Sequence, residues 1–195
     1  MRNRAFGGIP GAGPILLSAT LALAMAAAAW GEMAASPQEV KAAFIFKFTS
    51  YIEWPAESFR DSHSPLVIAA PEKSPIYPPL AMILKGKTYD GRPIRLAPYV
   101  WPADVPAGAH LALVDLSSRD DVEKTVAAIR KAAPHAMLIT SMEGMAKTGA
   151  MLNFITAGDR IRFEINLEEA KAAGLVISSK LLSLATIVGP VEEER

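Results

Sequence analysis

The first strongly patterned segment of the chain carries hydrophobic residues at helical spacing. The stripe on one face is formed by Val40, Phe44, Phe48 and Tyr51. Ser36 precedes it as a helix cap, because Glu39 completes a capping box and Pro37 suits the first helical position. A residue that precedes proline is disfavoured in helical conformation, so Pro55 limits the segment. The pattern predicts a helix over residues 37–53.

Short apolar runs rich in branched side chains alternate with helical segments through the rest of the chain. The predicted strands are residues 65–70, 109–114, 136–140, 151–155 and 160–166, with an extended segment over 86–96 that turns at Asp90-Gly91. The other predicted helices are residues 76–85 and 119–132, a short helix after Asn166, and the last apolar element from Ser178 to Ile187. This alternation predicts an α/β fold, a three-layer domain with a mixed β-sheet flanked by helices.

The strand 160–166 alternates between apolar and polar residues. One face carries Ile161, Phe163 and Ile165, and the other carries Arg160, Arg162, Glu164 and Asn166. Because successive strand residues point to opposite faces, the apolar set is expected to be buried and the polar set to be open. The polar face is therefore a candidate contact surface.

The N-terminus has the pattern of a secretory signal peptide. Arg2 and Arg4 precede an uncharged run over residues 15–30, and small residues follow up to Ala35. The run is short and rich in alanine, whereas a membrane span needs about 20 largely apolar residues. We expect cleavage, with residues 1–35 as signal peptide and 36–195 as a single domain. A retained anchor and a buried N-terminal helix are the alternatives.

Composition narrows the classes of partner. The chain has 20 basic and 20 acidic residues, and loss of residues 1–35 leaves 18 and 19, a net charge near −1. No basic field is present to attract nucleic acid. The chain has no cysteine, so disulfides and thiolate chemistry are excluded.

Candidates for catalysis are weak. The three histidines, His63, His110 and His135, lack the spacing of a zinc site, and no cofactor motif is complete. Asp115 and Thr140 each end a predicted strand, and open α/β sheets bind ligands along that edge. A small-ligand site near these two residues is therefore the alternative to a contact surface.

Three blocks of sequence, residues 41–55, 86–94 and above all 159–185, resemble the YfiR-like family in order along the chain. The resemblance implies a periplasmic α/β protein, usually dimeric, that represses an inner-membrane diguanylate cyclase by binding its periplasmic sensor region. Repression would lower cyclic di-GMP and biofilm formation. Family members often carry disulfide-forming cysteines, so redox control through such bonds cannot operate in this chain.

The interpretation from sequence is a regulator that acts by association, with no catalytic residues, no metal and no cofactor. The expected contact residues are Arg160, Arg162, Glu164 and Asn166 on the open strand face, with Trp54 and Pro55 as apolar anchors after the first helix. Phe44, Phe46 and Phe48 are expected in the core or in a homodimer interface. The alternatives are a periplasmic small-ligand-binding protein or small enzyme near Asp115 and Thr140, and a structural subunit of an envelope complex.

Overall fold

The structure, a computed structural model, describes residues 35–100, 107–158 and 160–189. The helices are α1 (Pro37–Thr49), α2 (Tyr77–Leu84), α3 (Arg119–Ala132), α4 (Leu167–Ala172) and α5 (Ser179–Leu182), with 3₁₀ turns at Ala56–Ser58 and Met145–Lys147. The strands are β1 (Ile52–Glu53), β2 (Leu66–Pro71), β3 (Thr88–Tyr89), β4 (Arg92–Tyr99), β5 (Leu111–Val114), β6 (Met137–Thr140), β7 (Leu152–Ala157), β8 (Arg160–Asn166), β9 (Val176–Ile177) and β10 (Thr186–Val188). The predicted signal peptide and the acidic C-terminal tail lie outside the described residues.

The main sheet has eight strands in the order β10-β8-β7-β6-β5-β2-β4-β3. Its centre, β7-β6-β5-β2-β4, is parallel, while β8 runs antiparallel to β7 and β3 antiparallel to β4. The edge strand β10 is parallel to β8. The predicted mixed sheet is therefore confirmed, and a separate two-stranded sheet pairs β1 with β9.

The chain direction explains why helices cover both faces of this sheet. The β2-α2-β4 crossover moves toward one edge, and the β5-α3-β6 crossover moves toward the other. Right-handed crossovers in opposite directions place α2 and α3 on opposite faces. Helix α1 packs beside α2. The predicted three-layer arrangement follows, with the switch in direction between β2 and β5.

The core is dominated by apolar strands and an aromatic cluster under α1. Phe44 and Phe48 of α1 meet Phe154 of β7 and Phe163 of β8, with ring centroids 5.0 to 6.3 Å apart. Phe48 is almost fully buried, whereas Phe46 is half-buried beneath the Lys87 ammonium. The wide apolar surface of α1 is thus shared between the sheet and α2.

Three predicted elements differ from the structure by more than two residues. Helix α1 ends at Thr49 instead of residue 53, because Ser50 closes the helix and Ile52 enters β1 opposite Ile177. Strand β4 continues to Tyr99, three residues beyond the end of the predicted extended segment. The last apolar element is helical only over α5 and then forms β10, a strand that the sequence pattern did not predict.

Candidate functional site

The β7–β8 hairpin carries the charged residues predicted for partner contact. Arg160 and Arg162 are exposed, and Glu164 is half-buried. The Glu164 carboxylate accepts a hydrogen bond from Asn153 Nδ2 at 3.1 Å. Asn153 in turn accepts one from Thr140 Oγ1 at 2.8 Å, and both of these side chains are fully buried. The buried Thr140 and Asn153 side chains therefore orient Glu164, while the two arginines are exposed to solvent.

Asn166 does not belong to this open face. Its side chain is fully buried, in contrast to the exposure expected from strand alternation. Asn166 Oδ1 accepts from the Glu169 amide at 3.1 Å and caps α4, while Nδ2 donates to the Ala146 carbonyl at 2.8 Å. Both ends of the amide are occupied within the fold, so the open face ends at Glu164.

Trp54 is likewise part of the core and not an exposed anchor. It is 7% exposed, and its indole Nε1 donates to the His110 carbonyl at 2.7 Å. Its ring also meets Tyr89 edge-on, with centroids 5.4 Å apart. The neighbouring Pro55 is half-buried and packs near Gly174, whose φ of +78° ends α4 in a left-handed conformation.

The strand directions separate the predicted contact residues into two groups. Trp54 bonds to His110 just before β5, at the amino-terminal end of the parallel strands. Arg160 pairs with Ala157 at the carboxyl-terminal end of β7. The two groups therefore lie at opposite ends of the strands, and the structure does not bring them together.

The outer edge of the sheet adds apolar residues that the sequence interpretation missed. Thr186 and Ile187 of β10 pair with Glu164 and Ile165 of β8. The Ile187 side chain therefore lies on the face of Ile165, opposite to that of Glu164. Leu184 lies in the turn between α5 and β10. Leu184 is 70% exposed and Ile187 is 50% exposed. The signal in the sequence was an apolar segment, residues 175–187, which was interpreted as helical from Ser178 onward, so the strand β10 was not expected.

At the carboxyl-terminal edge, Asp115 is engaged by its neighbours. Ser74 Oγ donates to Asp115 Oδ2 at 2.5 Å, and Lys41 Nζ donates to Ser141 Oγ at 3.1 Å. Burial lowers the pKa of Lys41, and the negative charge of Asp115 opposes that shift. Burial also raises the pKa of Tyr99, and the negative charge of Asp115 raises it further. These groups form a partnered polar cluster.

A cavity of about 430 Å³ opens beside this cluster, where β7 and β8 extend beyond the end of β6. Its lining residues are Ser141, Glu143, Phe154, Ile155, Thr156 and Glu164. Neither Asp115 nor Thr140 lines it, and the Thr140 hydroxyl is fully buried against Asn153. The two residues predicted for a ligand site therefore do not form this cavity.

At the opposite end of the strands, His110 lies in an aromatic stack. Its ring packs on Phe59 with centroids 4.2 Å apart, and Nδ1 accepts a hydrogen bond from the Val67 amide at 3.1 Å. Burial lowers the pKa of His110 to about 4; the Arg92 charge adds to this shift, and the Ser58 carbonyl opposes it. The imidazole is therefore neutral at physiological pH.

Two further features bear on the class of site. Among residues 35–100, 107–158 and 160–189, no group of three or more histidine, aspartate or glutamate side chains is arranged to hold a metal ion. Within the same ranges, every helix is too short or too polar to cross a bilayer.

A family model described as YfiR/HmsC-like matches residues 38–186. The chain belongs to the YfiR/HmsC-like family. The match to this family runs from the first turn of α1 into β10, so it covers nearly all of the described fold. The resemblance read from the three sequence blocks is thereby confirmed.

Among solved structures, a conserved domain protein from Vibrio cholerae O1 biovar eltor is similar, with a TM-score of 0.49 and 13% identity. The alignment covers 78% of this chain and 60% of that one, so this chain spans less than two thirds of that neighbour's length. The comparison with curated proteins returned no match.

Proposed function

We propose that this member of the YfiR/HmsC-like family is a periplasmic repressor of an inner-membrane diguanylate cyclase. It would bind the periplasmic sensor region of the cyclase and lower cyclic di-GMP and biofilm formation. Family membership over residues 38–186 supports this role, together with the secretory pattern of residues 1–35. On this proposal, the signal peptide is removed, and residues 36–195 form one domain that acts as a homodimer without catalysis.

The observation that carries the proposal is the outer-edge surface, defined here as Arg160, Arg162, Glu164, Leu184 and Ile187. It combines two exposed arginines and the half-buried Glu164 on one face of β8 with two large, exposed apolar side chains at the same sheet edge. Leu184 lies in the turn before β10, and Ile187 of β10 lies on the opposite face. A partner that covers the sheet edge would contact charged and apolar side chains together, as is expected of a protein contact surface. The edge strand also offers unpaired main-chain groups to a partner. Pro55, half-buried at the other end of the strands, would be a separate and secondary contact.

Repression requires a difference in affinity for two states of the sensor. A ligand shifts a conformational equilibrium only by the amount that it prefers one state over the other. Reducing the active fraction from 99% to 1% needs a preference of about 5.5 kcal/mol. Apolar anchors such as Leu184 and Ile187 provide contact energy, and the oriented Glu164 carboxylate and the two arginines provide specificity.

The test is complementation of a strain that lacks the gene. We expect deletion to raise cyclic di-GMP and the wild-type gene to restore a low level. Arg162→Glu in the outer-edge surface should fail to restore it, whereas Lys124→Glu, the same charge reversal at an exposed position of α3, should restore it. Immunoblots must show equal amounts of both variants in the periplasm.

Two results would contradict the proposal. One is an unchanged cyclic di-GMP level after deletion, combined with failure of the tagged protein to capture any cyclase from membranes. The other is full complementation by both Arg162→Glu and a Leu184→Asp variant, which would leave repression without the assigned surface.

The small-ligand or enzyme alternative near Asp115 and Thr140 has less support. Asp115 is bonded by Ser74, Thr140 is fully buried, and the adjacent cavity is lined by other residues. Turnover of a metabolite that is lost in Asp115→Ala would favour this alternative over the repressor.

A further inference from the structure

A second cavity lies at the amino-terminal ends of β2 and β5, away from the outer-edge surface. It has a volume of about 410 Å³. Phe59, Pro65 and Val67 form apolar parts of its lining, while Ser58, Ser64, Arg60, Arg95 and His110 supply polar groups. This size, with a partly apolar wall and a few polar groups, is that of sites for small organic molecules.

The buried polar group in this wall is the His110 ring. His110 is 4% exposed, and Nδ1 accepts a hydrogen bond from the Val67 amide. Because the ring is neutral and Nδ1 is an acceptor, the proton is on Nε2, which is a donor. Nε2 is buried without a hydrogen-bond partner in the described part of the chain; the Ser58 carbonyl faces the ring but does not complete a bond. Buried donors in native proteins almost always have a partner.

The charges around the cavity are predominantly positive. Arg60 and Arg95 line it, and the Arg92 guanidinium lies 4.2 Å from the Phe59 ring centroid. Arg92 donates to the main-chain carbonyls of Asp61 and Ser64 and forms no ion pair with any described residue. The Asp61 carboxylate accepts from the amides of His63 and Ser64 and lies 3.6 Å from Arg60.

Arg95 is the freest of these cations. It is exposed on β4 opposite Val67 of β2, and it forms no ion pair with any residue of the three described ranges. Guanidinium groups bind carboxylate and phosphate through paired hydrogen bonds. A partner for Arg95 is therefore expected to carry such a group.

We propose that this cavity binds a small organic anion. The carboxylate or phosphate of the ligand would accept hydrogen bonds from Arg95 and from His110 Nε2, with Arg60 at the entrance. An apolar part of the ligand would pack on Phe59, Pro65 and Val67. Binding would give the buried His110 donor its missing partner and would neutralise the excess positive charge.

The cavity at the opposite end of the strands is lined by two carboxylates, Glu143 and Glu164, and by no lysine or arginine. Asp115 is bonded by Ser74, and Ser141 by Lys41. An anion that entered there would meet the two glutamate carboxylates, whereas at His110 it would meet a donor without a partner in the described part of the chain. This difference favours the amino-terminal cavity over the edge where open α/β sheets usually bind ligands.

The test is isothermal titration calorimetry on the purified protein without any partner, so its outcome is independent of the proposed repression. The probes are phenyl phosphate, benzoate, inorganic phosphate and benzylamine. We expect at least one aromatic anion to bind, inorganic phosphate to bind more weakly, and the benzylamine cation not to bind. The preferred aromatic anion would distinguish a phosphate ligand from a carboxylate ligand.

Matched variants locate the site. Arg95→Gln removes an exposed guanidinium and should weaken aromatic-anion binding by about tenfold or more. Arg162→Gln makes the same change in the outer-edge surface and should leave the affinity unchanged. In an NMR spectrum of the imidazole nitrogens, the probe should shift the His110 Nε2–H resonance, but not the resonances of the exposed His63.

Three outcomes would overturn the proposal. The first is the absence of binding by both aromatic anions up to about 10 mM, a concentration at which even weak specific sites are occupied. The second is equal binding of benzylamine and the anions. The third is equal affinity of Arg95→Gln and Arg162→Gln for the anion that binds.

Discussion

At the scale of single residues, the sequence predicts helix caps more reliably than it predicts exposure. Ser36 accepts from the Glu39 amide at 3.2 Å, as the spacing of the two residues indicated. Asn166, which precedes the predicted short helix, caps it by accepting from the Glu169 amide at 3.1 Å. The same Asn166 was also expected on an open strand face. Local spacing determines the cap, but burial of the amide depends on the Ala146 carbonyl, which is 20 residues away.

Asn166→Ala should therefore cost more stability than loss of an ordinary cap. The cap itself is worth about 1 kcal/mol, and the buried Ala146 carbonyl would lose its donor at a further cost of about 1–2 kcal/mol. We expect the free energy of unfolding, measured by urea denaturation, to fall by about 2–3 kcal/mol in total. An unchanged m-value would show that the substitution alters stability and not the surface exposed on unfolding.

Ser36→Ala is the matched control for that measurement. It removes a half-buried capping side chain that makes no other hydrogen bond in the described part of the chain, and should cost about 1 kcal/mol or less. Equal losses for the two variants would show that the Asn166 bond to Ala146 contributes nothing, and would return Asn166 to consideration as a surface residue.

At the scale of elements, the interior of each helix and strand was predictable, but the ends that depend on distant pairing were not. Helix α3 begins and ends where the sequence places it, because Ser118 caps it and Pro134 follows. Helix α1 ends early because residues 52–53 pair with β9, more than 120 residues later. Strand β10 was missed for the same reason, since only its pairing with β8 makes Thr186–Val188 a strand.

Helix α1 is fixed to the sheet by Phe48. Phe48→Ala should cost about 3–5 kcal/mol in urea denaturation, because the ring is nearly fully buried among Phe44, Phe154 and Phe163. Phe46→Ala on the same helix removes a half-buried ring and should cost less than about 2 kcal/mol. A reversed order would mean that α1 is held chiefly by the surface that carries Phe46.

At the scale of the whole molecule, fold class followed from the sequence, but the composition of the sites did not. Alternating strands and helices predicted the mixed three-layer sheet. The strand order, which places Trp54 and Arg160 at opposite ends of the strands, depends on pairings between segments far apart in sequence. For this reason the residues predicted as one contact surface are divided between the outer-edge surface and the buried Trp54, and the His110 cavity was not predicted.

The same buried histidine should make global stability depend on pH. Burial lowers the pKa of His110 to about 4, against an ordinary value of 6.5. Between these values the unfolded chain binds a proton that the folded chain does not, so stability is fully present above pH 6.5 and is lost as the pH falls toward 4. Hydrogen bonds lower the pKa values of Glu39 and Asp61, so these two groups change the stability only below about pH 4.5.

We therefore expect the urea midpoint of the wild type to fall as the pH is lowered from 7 to 5. In His110→Asn, which retains an acceptor for the Val67 amide, the midpoint should change much less across this range, whereas the exposed-site control His63→Asn should keep the wild-type slope. If the slope persists in His110→Asn, another group causes the pH dependence, and the neutral, buried state of His110 is contradicted.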